Sequence, residues 1–171
     1  MTSSKQVTGI INFANFGYIQ LGAFDLTVNG SLTGGNTIAH VISDGIGFLK
    51  ITAIGAGPVV FPIGADVATY NPVTVRSGGG ADYSARVEVG LNPAIFNNNF
   101  AILRTWNLKS SATVAGVDID LEYNGSQGGP SFNYAGFVEV GAFIGVSWNI
   151  IATGLTPTGT YLVNVNPVNV S

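Results

Sequence analysis

From Val7 to Phe61 the chain breaks into short apolar runs, each ended by Gly, Asn or Asp after about eight to twelve residues, the spacing of an all-β domain or a coiled solenoid. No stretch carries the period of an amphipathic helix. The pattern predicts strands at 7–13, 16–21, 24–28, 37–43 and 48–52, with turns at Asn29-Gly30, Gly34-Gly35 and Asp44-Gly45. Ile10-Ile11 and Val41-Ile42 are apolar on both alternations, which predicts strands covered on both faces.

After Pro58 the runs lengthen and alternate more cleanly, at 72–76, 83–89, 101–108, 117–123, 132–143, 146–152 and 159–165. Seven strands of this kind predict an immunoglobulin-like or jelly-roll β-sandwich. The expected organisation is an all-β fold with an N-terminal, solenoid-like β-rich extension over 1–57 that shares the core of a sandwich over 58–171. Residues 136–155 are long enough to cross a bilayer, but Glu139, Asn149 and recurrent glycines mark them as sheet. Asn12, Asn15 and Gln20 interrupt 7–24 in the same way, making it a poor signal peptide.

Composition sharpens the picture. The chain is 46% hydrophobic and 9% charged, against about 25% charged in an ordinary soluble domain. So few charges cannot guard every edge and face of an isolated β-protein, and association with further copies is expected. No cysteine is present, so burial and backbone pairing carry the stability. A net charge of −3 with six scattered Lys and Arg excludes the basic stripe that nucleic acid needs.

Three motifs occur in order: Phe61-Pro62-Ile63-Gly64, Tyr70-Asn71-Pro72-Val73-Thr74-Val75 and Arg104-Thr105-Trp106-Asn107-Leu108. Together they resemble a pattern in large secreted β-rich surface proteins of gliding bacteria, in which an FP-(V/I)-G segment precedes YNPV(T) and an R-x-W strand. The resemblance covers Val59 to Tyr123, and the run before it is similar to the β-helix-like rungs found upstream in such proteins. It implies an extracellular or cell-surface location and an adhesin-like or fibrous role. No enzyme activity comes with it.

Asp118, Asp120 and Glu122 form the densest acidic cluster, and alternation places the three carboxylates on one face with Val117, Ile119 and Leu121 turned to the core. Calcium is the cation such a cluster would take. Neighbouring members lie about 6.6 Å apart along a strand, and no glycine-rich calcium loop surrounds them, so a solvated or interface face paired with Arg86 or Arg104 is expected instead. His40 is the single histidine, in a strand-like run, and is expected to be structural. Gly78-Gly79-Gly80 lacks the lysine and helix of a phosphate loop and is expected to be a turn. Trp106, Trp148, Tyr123, Tyr134 and Tyr161 offer rings for a sugar platform, although Trp106 in an alternating strand also suits a sandwich core.

These observations lead to a non-enzymatic, secreted structural subunit that self-assembles into an extracellular fibre or surface layer through β-strand contacts or donor-strand exchange. Val7, Ile10, Ile11, Phe13 and Phe16 are the expected subunit contacts, and no cofactor is expected. One alternative is an adhesin module that binds surface glycans or another ligand; a second is a small outer-membrane β-barrel.

Overall fold

The computed structural model describes residues 1–159 and 162–170, and no helix occurs among them. Sixteen strands form among the described residues. The first nine are β1 (Lys5–Val7), β2 (Ile10–Phe13), β3 (Gly17–Gln20), β4 (Leu26–Val28), β5 (Ser31–Gly34), β6 (Ala39–Ile42), β7 (Leu49–Ile54), β8 (Val59–Phe61) and β9 (Ile63–Gly64). The rest are β10 (Val73–Arg76), β11 (Ala81–Val89), β12 (Arg104–Ser110), β13 (Val114–Glu122), β14 (Val138–Ile144), β15 (Ser147–Leu155) and β16 (Leu162–Val170).

The N-terminal third is a parallel solenoid. Lys5 faces Leu26, 21 residues on, and Leu26 faces Leu49, 23 residues on. In the same way β2 pairs with β5, and β3 with β6 and then β9. The run predicted as one strand over 7–13 is therefore two, bent at Thr8-Gly9 into different sheets. Asn29-Gly30 is likewise a corner between β4 and β5, not a hairpin turn. Glycine is required there because a Cβ at Gly30 would lie 2.0 Å from the carbonyl oxygen of Gly9 in the neighbouring rung.

Strand β7 joins the solenoid to the sandwich. One edge continues the parallel sheet with β4, and the other pairs antiparallel with β11, giving the order β1-β4-β7-β11-β12. A second sheet, β16-β13-β10-β8, supplies the other layer. Its inward residues Val73, Val75, Val117 and Ile119 share one core cluster with Tyr83, Ala85 and Val87 of the first sheet and with Val28, Val41 and Phe13 of the solenoid. The fold is an all-β sandwich; its sheets are open and none closes into a barrel. Among the described residues no helix is long and apolar enough to cross a membrane.

Residues 136–155 form the β14–β15 hairpin, which stands as its own two-stranded sheet. Val138, Val140, Ala152 and Leu155 seat it on a second cluster built around Tyr123, Val163 and Val165. The two-faced burial read from Val41-Ile42 holds, since every residue of β6 is buried. It fails for Ile10-Ile11, where Ile10 is 73% exposed because a solenoid rung has one inner face.

Candidate functional site

The three sequence motifs converge on Asn71, which is fully buried. Its amide donates to Gln127 Oε1 at 2.7 Å and to the Glu122 carbonyl at 3.1 Å, while Gln127 Nε2 donates back to Asn71 Oδ1 at 3.0 Å. The same Oδ1 accepts from Arg104 Nε at 3.3 Å, and the Asn71 carbonyl accepts from the Trp106 indole at 3.2 Å. The Asn71 backbone N–H donates to Ile63 of the first motif at 2.8 Å. One asparagine thus ties the solenoid's last strand to β12 and to the loop after β13. Buried polar groups persist only when partnered, which explains why the network is closed on itself.

His40 lies beside this junction, fully buried, with Nδ1 3.0 Å from the Asn36 carbonyl and Nε2 3.0 Å from the Asp66 carbonyl. Tyr18 meets the imidazole edge-on, and Tyr70 packs on it at 5.6 Å. Burial, helped by the Glu122 charge, pushes the Tyr70 phenol up to about 12. Gly64 has to be glycine: a Cβ would lie 1.8 Å from the Thr69 carbonyl oxygen and 2.7 Å from His40 Nε2. The histidine is a structural wedge, more deeply buried than a strand-face position implies.

Trp106 packs against both clusters but remains half-buried, because its outer part opens into a cleft of about 750 Å³. Arg104 and Trp106 of β12, Tyr123, Phe132 and Trp148 line it, with Phe100 and Phe137 at the rim. Backbone bonds stitch its walls together: Leu103 N–H donates to Gln127, Gly129 to Ala101 and Ser131 to Asn99. The Trp148 indole donates to the Pro93 carbonyl at 3.0 Å, clasping the hairpin to the loop before β12. Phe132 is held edge-on between Tyr123 and Tyr134. Of the ring residues singled out in the sequence, Trp106, Trp148 and Tyr123 line the cleft; Tyr134 braces it, donating no ring to the wall, and Tyr161 lies outside the described residues. Phe132 and Phe137 lie in the run predicted as a strand over 132–143, but β14 begins only at Val138 and both rings sit in the irregular segment before it, while Phe100 lies in the irregular segment before β12.

The acidic triad behaves differently. Asp118 and Glu122 are half-buried, whereas Asp120 is 4% exposed and engaged by Arg76 and by Asn164 Nδ2 at 2.8 Å. Its partner is thus Arg76 from the adjacent strand β10, not Arg86 or Arg104: Arg86 pairs with Glu88 at 2.5 Å, and Arg104 faces the cleft. No group of three or more His, Cys, Asp or Glu suited to a metal occurs among the described residues. Burial raises the Asp120 carboxyl, but the Arg76 and Asn164 hydrogen bonds and the Arg76 charge outweigh it and hold the group below the usual range. A carboxyl lowered in the fold stabilises above its unfolded pKa and loses that contribution as pH falls through the folded value. Acidification below about pH 4 should therefore weaken the protein. Asp120→Asn should cost about 2 kcal/mol at neutral pH and flatten this acid limb in urea melts; an unchanged acid limb would show that Asp120 does not drive it.

Among the residues expected at subunit contacts, Phe13 is buried in its own chain's core, and Val7 and Ile11 pack against that core. Ile10 and Phe16 face outward, at 73% and 79% exposed. The triple glycine forms a turn before β11, as its neighbours suggest.

Comparison of the chain with protein-family models, curated proteins and solved structures finds no match. The functional reading therefore rests on the geometry.

Proposed function

We propose that this chain is a structural module of a bacterial extracellular fibre or surface layer, and that it assembles through β-strand contacts at the free end of its solenoid. The supporting observation is that, among the described residues, β1, β2 and β3 each have one hydrogen-bonded strand neighbour, leaving three edges without a strand beside them, although the Met1 amino group donates to the Gln20 carbonyl of β3. Lys5 is the only charge in those strands, so the guards that normally blunt an edge are nearly absent. Exposed Ile10 and Phe16 supply apolar anchors there.

At the other end β11 covers the free edge of β7, while β5 and β9 keep an edge without a strand neighbour among the described residues, so all three sheets cannot be extended together there. Rung stacking therefore joins like ends and makes pairs; a fibre needs a second contact. The β14–β15 hairpin offers one, with free strand edges and exposed Phe143, Ile144, Val146 and Ile150. Strand exchange of β1 and β2 would carry Phe13 into the partner's core, preserving its burial.

Light scattering at micromolar concentration should report particles far above 17.6 kDa. Replacing Ile10 and Phe16 together by Lys should leave the melting temperature in place and disrupt the solenoid-end contact, reducing the particles to dimers or monomers. A wild-type chain that stays monomeric would overturn the proposal, and undiminished fibres from the double variant would move the contact elsewhere.

The cleft favours a second reading, an adhesin module that binds a ligand between its hairpin and its sandwich. Its size and its aromatic lining with few polar groups match small-ligand sites.

A further inference from the structure

The cleft holds one cation that makes no ion-pair contact with a carboxylate among the described residues. Arg104 is half-buried, with Nε on Asn71 and Nη1 on the Leu103 carbonyl at 2.7 Å; among the described residues neither Nη2 nor the guanidinium as a whole meets a carboxylate. Burial pulls its pKa below the ordinary arginine range, against a smaller opposing pull from Asp66. A half-buried guanidinium with no carboxylate in contact is unfavourable, and a planar carboxylate is its natural complement.

The surrounding groups narrow the ligand further. Both indole N–H groups are already used, Trp106 on Asn71 and Trp148 on Pro93, so these rings offer the cleft carbon surface and no donor. At the rim the Oδ1 atoms of Asn97 and Asn133 accept from the backbone of their own loops, at Asn99 and Ala135, which leaves their NH2 groups as donors. The site thus combines flat apolar walls, one guanidinium, peripheral amide donors and a single carboxylate, Glu139 of β14, which makes no ion pair with Arg104. A sugar ring presents an apolar C–H face to aromatic walls and hydroxyl acceptors to amides, and a uronic acid adds the carboxylate.

We propose that the cleft binds an acidic saccharide, with a uronate carboxylate on Arg104 and its ring against Trp106 and Phe132. The proposal rests on the ligand-binding reading and names its ligand.

Three probes separate the outcomes by calorimetry and by tryptophan emission: trigalacturonate, neutral maltotriose and N-acetylphenylalanine, a carboxylate without a sugar. Trigalacturonate should bind, with maltotriose and N-acetylphenylalanine at least tenfold weaker. Arg104→Gln should weaken trigalacturonate by about ten- to a hundredfold, the range for a charge-assisted hydrogen bond, and leave maltotriose unchanged. Phe100→Ala and Phe137→Ala, both at exposed rim positions, should each weaken trigalacturonate severalfold at constant melting temperature. If Arg104→Gln fails to fold, salt decides the point on the intact protein: trigalacturonate affinity must fall with ionic strength while maltotriose affinity stays level. Equal affinity for the two sugars would overturn the uronate assignment and leave the ligand-binding reading standing. Equal or tighter binding of N-acetylphenylalanine would replace the saccharide by a simple carboxylate. Binding of none of the three would overturn both.

Discussion

Phe61→Ala should destabilise the fold by about 3–5 kcal/mol, the range for emptying a large buried aromatic site. Phe61 ends β8, is fully buried, and lies opposite Val73 in the ladder with β10. It belongs to the cluster that contains solenoid residues such as Val41 and sandwich residues such as Val75, so its removal loosens both parts together. Collapse of the surrounding strands into the void is limited because hydrogen bonds hold β8 to β10 and β10 to β13. At about 2–4 °C per kcal/mol for a chain of this size, the melting temperature should fall by roughly 6–20 °C. Phe96→Ala is the control, since Phe96 is fully exposed and should leave the melt unchanged. A loss below about 1 kcal/mol at Phe61 would mean that solenoid and sandwich do not share this core.

The second large effect is expected at Asn71. Its replacement by Ala removes two acceptor contacts and two donor contacts at once and strands the buried Gln127 Nε2 without its partner. Leaving buried polar groups unpaired costs about 1–3 kcal/mol for each, so a loss of about 3 kcal/mol is expected in urea melts. The damage should also reach the cleft, because Arg104 Nε is held by the Asn71 side chain. Trp106 is different, since it is held by the Asn71 backbone carbonyl. Tryptophan emission should therefore shift little in folded Asn71→Ala protein, and a loss below about 1 kcal/mol would show that water replaces the missing amide.

The contrast between Asn71 and Trp106 shows how far the sequence carries the site. The rings of Trp106, Trp148 and Tyr123 are legible as candidates because large rings in alternating runs are conspicuous and the chain has only two tryptophans, and all three do meet in one cleft. Arg104 and Asn71 are legible as members of motifs, but nothing local says that they touch, since 33 residues separate them. The Asp120 partner was legible in kind and not in identity. Alternation along β13 correctly turns Val117, Ile119 and Leu121 inward, yet choosing Arg76 over Arg86 or Arg104 requires knowing that β10 is the neighbouring strand.

The same division runs through the fold. Sequence alone determined that the chain is all-β, where most strands lie, and which face of each sandwich strand is apolar, because a period of two is written in consecutive residues. Strands β5, β8 and β9 were missed because two to four residues bounded by Gly or Pro carry too few alternations to register. Only the tertiary structure decided that rungs stack in parallel at offsets of 21 and 23 residues, that Ile10 faces outward while its neighbour Ile11 packs on the core, and that β7 serves two sheets. Strand pairing is a non-local choice: each backbone edge offers the same donors and acceptors to any partner, and the burial that selects one partner exists only when the whole chain is packed.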